Sequence, residues 1–213
     1  MKRNITEKLL KWKNSLSSKP LLLRGARQIG KSYSVTEFGK NYFEGNLHNI
    51  NLEKNPELHR IFEQNLDSDR ILSELEFFLN KKIVPKRDLL FLDEIQECPK
   101  AIMSLRYFYE QNPDLHLIAA GSLLEFALQD ISFPVGRLQI LSMYPMTFEE
   151  FLIANDKELL AEKVKEYQGG FSENMMQLIN EQLYKYFMVG GMPECVKTFV
   201  QTGSFIDVNE VQS

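Results

Sequence analysis

The sequence predicts an α/β fold in which a central, mostly parallel sheet lies between two layers of helices and is followed by a small helical lid. Three apolar runs, Leu21–Leu23, Leu89–Leu92 and Leu115–Ala120, have the length and composition of buried strands. Segments with apolar residues at helical spacing lie between these runs, and alternation of strands with helices is typical of parallel sheets. The pattern therefore predicts a three-layer sandwich.

The first half of the chain supplies clear helix signals. Four apolar residues recur at helical spacing and predict a helix over residues 3–16 that lies on the sheet, namely Ile5, Leu9, Trp12 and Leu16. Asn55 and Pro56 indicate a helix start, because asparagine caps helices and proline fits their first turn. The other elements predicted here are a strand over 21–23, a helix from about Lys31 to Phe43, a strand over 47–52 and a helix over 70–79.

The second half becomes helical after a last strand. Pro99 opens a helix, residues 139–143 form a strand, and Thr147 with Glu150 three residues later matches a helix capping box. A four-residue spacing predicts a buried helical stripe in the lid, formed by Met175, Ile179, Leu183 and Phe187. Gly190 and Gly191 end that helix, and Pro193 begins another.

A phosphate-binding loop is the strongest motif in the chain. After the first apolar run, the sequence GARQIGKS fits the pattern G-x-x-x-x-G-K-[ST]. Glycines let backbone N–H groups turn toward phosphate oxygens, Lys31 would reach the β- and γ-phosphates of ATP, and the Ser32 hydroxyl would bind Mg²⁺. The alternative is a chance match in a glycine turn, which the preceding strand and following helix disfavour. The predicted cofactor-binding residues are Gly25, Ala26, Arg27, Gln28, Ile29, Gly30, Lys31 and Ser32.

Two adjacent acids at the end of the second apolar run complete this pattern. Asp93 is predicted to hold the Mg²⁺ shell with Ser32, and Glu94 to polarise the attacking water as a general base. Because side chains alternate across a strand, we expect Asp93 and Glu94 to point in different directions. The alternative for Glu94 is an ordinary surface acid at a strand end.

Two further residues are candidates near the nucleotide. Ser122 follows the third apolar run, and it would either sense the γ-phosphate or cap a helix over 123–128. No arginine follows Arg137 in the sequence, so Arg137 is the predicted catalytic arginine, with Arg106 in reserve. The basic turn formed by Lys81, Lys82, Lys86 and Arg87 is more typical of a solvated loop than of a binding patch.

Composition limits the class of protein. A net charge of −4 does not favour bulk electrostatic binding of nucleic acid, although a local patch stays open. Cys98 and Cys195 are far apart and form no paired motif, so neither a disulfide framework nor a zinc site is expected. The charged N-terminus is unlike a signal peptide, and no uncharged run is long enough to cross a bilayer, which predicts a cytoplasmic protein without membrane contact.

These motifs together resemble the bacterial and archaeal AAA-type ATPases that carry an additional C-terminal domain of unknown function. The similarity rests on LLLRGARQIGKS, LLFLDEIQECP, FPVGRLQILSMYPMTFEEFL and GGMPE. It implies an AAA-like P-loop NTPase fold, binding of ATP and Mg²⁺, and weak or regulated ATPase activity. It also implies that Ser122 lies at a glycine-serine strand tip, that Arg137 acts within the chain or on a neighbour, and that the chain ends before the extra domain.

The resemblance divides the chain into a P-loop ATPase core over residues 1–145, with its N-terminal helix, and a helical lid over 146–213 that begins a truncated C-terminal region. The favoured function is Mg²⁺-dependent ATP hydrolysis coupled to a protein partner or to the missing C-terminal domain, with a homo-oligomer compatible with the sequence. The alternative is a nucleotide-gated switch that holds ATP or ADP with little turnover. A small-molecule kinase ranks third, because the lid lacks arginine.

Overall fold

The computed structural model describes residues 1–15, 18–122, 136–167 and 169–212. They form two compact units. The first unit is Ile5–Met143, and the second unit combines Met1–Asn4 with Tyr144–Ser213. The sequence assigned the first four residues to the core, whereas the structure groups them with the C-terminal helices. The role of the second unit as a lid stays a prediction.

A five-stranded sheet organises the first unit. Its strands are β1 (Leu21–Arg24), β2 (Leu47–Asn51), β3 (Leu89–Asp93), β4 (His116–Gly121) and β5 (Gln139–Ser142). The order across the sheet is β2-β3-β4-β1-β5, and every neighbouring pair is parallel. The predicted α/β fold with a parallel central sheet is therefore confirmed. Since all strands run the same way, their carboxyl ends share one edge, where open α/β sheets bind ligands.

Helices cover this sheet because its strands are apolar on both faces. The α-helices in the described part of the first unit are α1 (Ile5–Lys13), α2 (Lys31–Tyr42), α3 (His59–Gln64), α4 (Ser68–Leu79) and α5 (Pro99–Gln111). One face buries Leu22, Leu90 and Leu117 in a cluster with α3, α4 and α5. The alternate residues, such as Leu23 and Phe91, are buried as well, as expected for a sheet that is covered on both faces.

Several predicted boundaries shift for local reasons. The helix predicted over 3–16 is shorter, and Leu16 lies outside the described residues, as does the helix predicted over 123–128. Asn55 does not cap through its side chain, and a 3₁₀ turn over Pro56–Leu58 precedes α3. Helix α4 begins at Ser68, two residues earlier than predicted, because the Asp67 side chain accepts from the Arg70 N–H.

The second unit is helical. It contains α6 (Phe148–Ala154), α7 (Glu158–Lys165), α8 (Glu173–Val189), α9 (Pro193–Thr202) and α10 (Phe205–Gln212). The predicted capping box of Thr147 and Glu150 is confirmed. The predicted stripe is wrong at Phe187, which is 69% exposed. A strict four-residue spacing turns by about 40° per step around a 3.6-residue helix, so the buried face instead continues through Gln182 and Val189.

Within the second unit, the buried carboxylate of Glu150 connects the first residues of the chain to the segment that begins α6. Glu150 accepts hydrogen bonds from Arg3 Nε at 3.0 Å, the Asn4 N–H at 2.6 Å and the Thr147 N–H at 2.9 Å. Arg3 Nη2 also donates to the Tyr144 carbonyl at 2.8 Å. A buried charge is tolerated when it is paired and hydrogen-bonded, so these contacts account for the burial of Glu150 and hold Arg3 and Asn4 against the start of α6.

None of the helices in the described ranges has the length and apolar character that a membrane span requires.

Three of the four cations in the predicted basic turn have polar partners: Lys81 Nζ donates to Asn46, Lys82 pairs with Glu76, and Lys86 pairs with Asp114. These pairs fit an ordinary polar surface.

His116 predicts a pH dependence of folding stability. Its ring packs edge-on against Trp12 and Phe43, and burial lowers the pKa of its imidazole, which a weak hydrogen bond to the Lys13 carbonyl only partly opposes. The unfolded chain therefore takes up the proton more readily as the pH falls through about 6.5. We expect the free energy of unfolding to fall below neutral pH, by at most about 1.4 kcal/mol per pH unit from this group.

Urea unfolding at several pH values between 7.5 and 5 would measure this effect. The matched variant is His116→Phe, which keeps an aromatic ring against Trp12 and Phe43 but cannot take up a proton. We expect a smaller loss of stability in the variant than in the wild type. An identical pH slope in both proteins would contradict the prediction.

Candidate functional site

The predicted phosphate loop connects the end of β1 to the start of α2. Gly30 is the residue before α2, and its left-handed backbone (φ 86°, ψ 28°) is one that glycine adopts at little cost. Its carbonyl already accepts the first helical hydrogen bond, from the Ser34 N–H at 2.9 Å. The N-terminal N–H groups of a helix have no intrahelical partners and carry partial positive charge, so this end of α2 is suited to phosphate oxygens.

Gly25 is needed at the start of the loop for a steric reason as well. Its φ is 153°, and a Cβ there would overlap the carbonyl oxygen of Met143 and lie 2.5 Å from Ile29 Cδ1. The Met143 N–H donates to the Arg24 carbonyl at 2.8 Å, which holds the segment after β5 against the loop. Any larger residue at position 25 would therefore displace either the loop or that segment.

Lys31 lies inside the curve of the loop. It is only 6% exposed, and its Nζ donates to the carbonyls of Gly25 at 3.0 Å and Ala26 at 2.7 Å. Burial lowers the pKa of this ammonium group, and the negative charges of Glu94 and Asp93 partly oppose that effect. The loop thus surrounds the Lys31 ammonium group, and the charges of Asp93 and Glu94 lie close enough to affect its pKa.

Asp93 brings the two predicted metal ligands together. It is 5% exposed at the end of β3, and its carboxylate is hydrogen-bonded to the Ser32 side chain. Burial raises the pKa of this carboxyl, the Ser32 hydrogen bond opposes the rise, and the Glu94 charge adds to it. A hydroxyl and a carboxylate beside a phosphate site suit Mg²⁺, which takes one or two carboxylates and completes its shell with water and phosphate oxygens.

No group of three or more His, Cys, Asp or Glu side chains that could hold a metal ion occurs among the residues whose placement is described. Asn51 is a neighbour that the sequence prediction missed. It ends β2, pairs in register with Asp93, and donates from Nδ2 to the Asp93 carboxylate at 3.4 Å. The sequence signal that could have identified Asn51 is its position as a polar residue at the end of β2, beside the strand that carries Asp93.

Glu94 departs from the predicted geometry. The strand ends at Asp93, and Glu94 adopts a left-handed backbone (φ 49°, ψ 48°) that leads into the 3₁₀ turn Ile95–Glu97. Strand alternation therefore does not apply to this pair of acids. Instead, the backbone turn redirects Glu94, whose charge acts on both Lys31 and Asp93. Non-glycine residues in this conformation are strained and occur preferentially at functional sites.

Ser122 lies at the same edge of the sheet as the loop. It follows Gly121, which is in register with Arg24, and it is 2% exposed. The helix that it was predicted to cap lies outside the described residues, so the choice between sensing and capping stays open.

Arg137 lies at the other end of the sheet. It precedes β5, whose first residue Gln139 pairs with Leu21, whereas the phosphate loop follows Arg24 at the far end of β1. Arg137 Nε pairs instead with Glu110 at 2.9 Å, and Arg106 pairs with the same carboxylate at 3.0 Å. The structure therefore does not bring Arg137 to the phosphate loop of its own chain, because the parallel register separates them.

The AAA_14 family model, described as an AAA domain, matches residues 17–152. No curated protein matches the chain. Among solved structures, the chain is similar to the Drosophila ORC bound to DNA, with a TM-score of 0.49, 14% identity, and coverage of 96% of this chain and 64% of that one. It is also similar to the Aeropyrum pernix ORC1 protein in complex with DNA, with a TM-score of 0.47, 15% identity, and coverage of 99% and 59%.

The chain spans less than two thirds of the length of either ORC structure. The AAA-domain match covers well over half of the sequence and includes the phosphate loop, both acids and the whole parallel sheet. The chain therefore belongs to the AAA domain family of P-loop ATPases.

Proposed function

We propose that this chain binds ATP with Mg²⁺, hydrolyses it, and couples hydrolysis to a protein partner or to a further C-terminal domain. The observation that carries the proposal is that four side chains converge at the loop: Lys31, Ser32, Asp93 and Glu94. The Ser32 side chain is hydrogen-bonded to Asp93, and the negative charges of the two acids raise the pKa of Lys31 against the effect of burial. A cation, two metal ligands and a carboxylate base beside a helix N-terminus are the groups that phosphoryl transfer to water requires.

In the proposed mechanism, the N–H groups at the start of α2 bind the phosphates. Lys31 exchanges its contacts with the Gly25 and Ala26 carbonyls for contacts with the β- and γ-phosphate oxygens. Ser32 and Asp93 would hold Mg²⁺, which would supply neutralisation of negative charge at the phosphates. Glu94 accepts a proton from the water that attacks the γ-phosphorus.

Two measurements on the purified chain test this proposal. Titration calorimetry with ATP, with and without Mg²⁺, measures binding and its dependence on the metal. Release of inorganic phosphate measures turnover. Binding without phosphate release would favour the second candidate, the nucleotide-gated switch. The placement of Arg137 away from its own loop supports that candidate for a solitary chain, because the predicted catalytic arginine does not lie at the nucleotide site of its own chain.

We further propose that Arg137 acts on the nucleotide of a neighbouring copy. We expect the wild-type specific activity to rise with protein concentration, and we expect Arg137→Ala to lower the activity of the assembled protein by at least about tenfold. Arg106→Ala removes the reserve candidate, which pairs with the same Glu110 carboxylate; if Arg137 is the catalytic arginine, this variant keeps the wild-type rate. Phosphate release measured over a wide range of protein concentrations tests this prediction.

A mixing experiment separates action in trans from a structural effect. An Arg137→Ala chain keeps its own site, and a Glu94→Gln chain keeps Arg137, so an equimolar mixture should hydrolyse ATP faster than either variant alone. An Arg137→Ala rate equal to the wild-type rate at every concentration would show that Arg137 has no such role.

A further inference from the structure

We propose that Gln96 is a positioning residue for Glu94, and that it holds the carboxylate so that one oxygen faces the attacking water. The inference rests on the ATP hydrolysis proposed above. Gln96 is the middle residue of the 3₁₀ turn Ile95–Glu97, two residues after Glu94. Its side chain bends back along the turn, and Nε2 donates to Glu94 Oε2 at 2.8 Å.

The orientation of the Gln96 amide follows from its neighbours. Nε2 also lies 3.2 Å from Glu97 Oε1, so both hydrogens of the amide group are directed at carboxylates. Ionised carboxylates only accept hydrogen bonds, so the nitrogen and not the oxygen must face them. This leaves Gln96 Oε1 on the other side of the amide, where it is buried and has no hydrogen-bond partner within the described part of the chain.

The contact limits the freedom of Glu94. The left-handed backbone of Glu94 sets the direction in which its side chain leaves the sheet, and the Glu97 N–H donates to the Glu94 carbonyl at 3.1 Å, which closes the turn. The side chain itself still has three rotatable bonds. The hydrogen bond from Gln96 engages Oε2, so that Oε1 remains to accept a proton. A fixed base has a higher effective concentration than a mobile one.

The proposed step uses the free oxygen of Glu94. With Oε2 held by Gln96, Glu94 Oε1 accepts the proton of the attacking water. The water oxygen then bonds to the γ-phosphorus, and the bond to the bridging oxygen breaks to release ADP.

The test compares turnover with nucleotide affinity. Gln96→Met keeps the length of the side chain and removes its hydrogen bonds, and we expect kcat to fall roughly 10- to 100-fold, as for loss of a supporting hydrogen bond at an active-site ligand. KM and the Kd for ATP should be unchanged, because the Gln96 amide donates to Glu94 and Glu97 and is not among the groups proposed to bind phosphate. Glu97→Gln is the matched control, since it changes the other carboxylate at Gln96 and should leave kcat unchanged.

A double-mutant cycle shows whether Gln96 acts through Glu94. In a Glu94→Gln background, Gln96→Met should lower the residual rate by much less than in the wild type. An equal loss in both backgrounds, or no loss in either, would overturn the inference while leaving ATP hydrolysis established. Absence of any hydrolysis in the wild type would overturn the proposed function and this inference with it. If Gln96→Met unfolds, Gln96→Leu provides a second uncharged variant that cannot donate, with the same expected loss.

Discussion

Replacement of Glu94 by glutamine is expected to slow the hydrolysis of bound ATP roughly 10²- to 10⁴-fold and to leave ATP affinity intact. Glutamine has the shape of glutamate but cannot accept the proton of the attacking water. The phosphate loop, Ser32 and Asp93 are unchanged, so binding should survive. It should even tighten slightly, because a negative charge near the phosphates disappears. A single-turnover assay with radiolabelled ATP measures the chemical step directly, and titration calorimetry measures the affinity.

The control for Glu94→Gln is Glu97→Gln, which removes an equal charge at the other end of the same 3₁₀ turn. This variant should cleave bound ATP at the wild-type rate. Wild-type cleavage by Glu94→Gln itself would remove Glu94 from the catalytic residues and would make it the surface acid that the sequence left as the alternative.

Replacement of Lys31 by alanine is expected to weaken ATP binding roughly 10²- to 10⁴-fold. The variant loses two charge-assisted hydrogen bonds to phosphate oxygens, each worth about 1.5–3 kcal/mol, and a change of 1.4 kcal/mol is tenfold in affinity. In the protein without nucleotide, Lys31 donates instead to the Gly25 and Ala26 carbonyls, so the variant also loses two hydrogen bonds within the loop. Titration calorimetry gives the affinity, and thermal unfolding shows whether the fold has changed.

Lys40→Ala is the matched control for Lys31→Ala. It removes a lysine from the last turn of the same helix, where the side chain is exposed and pairs only loosely with Glu37 at 3.8 Å. Its ATP affinity should equal that of the wild type. Unchanged affinity in Lys31→Ala would show that GARQIGKS does not bind phosphate in this chain.

The sheet and the loop were predictable because their signals are local. Leu21–Leu23, Leu89–Leu92 and Leu115–Ala120 are apolar runs, and strands covered on both faces need such runs. The loop residues follow one another along the chain, so their spacing alone indicates the turn. The pair of acids was recognised by type and position, but the direction of Glu94 was not, since it depends on a left-handed backbone that no residue type at that position specifies.

The features that were not predicted depend on pairing between distant segments. The distance of Arg137 from its own loop follows from the register of β5 against β1, which sequence periodicity does not reveal. Asn51 meets Asp93 for the same reason, through the register of β2 against β3. The exposure of Phe187 follows from accumulated helical phase, which is visible only when the whole of α8 is considered.

The pairing of Arg3 and Asn4 with Glu150 also bears on the order of events during synthesis. Arg3 leaves the ribosome 147 residues before Glu150, which corresponds to roughly 7–30 s of translation at 5–20 residues per second. Thr147 and Glu150 can form their capping box at once, because they are neighbours in sequence. Arg3 has no Glu150 carboxylate to pair with until that segment has been synthesised. The unit Ile5–Met143 is synthesised in that interval, so the buried Arg3–Glu150 pair can form only after the whole of the first unit has been made.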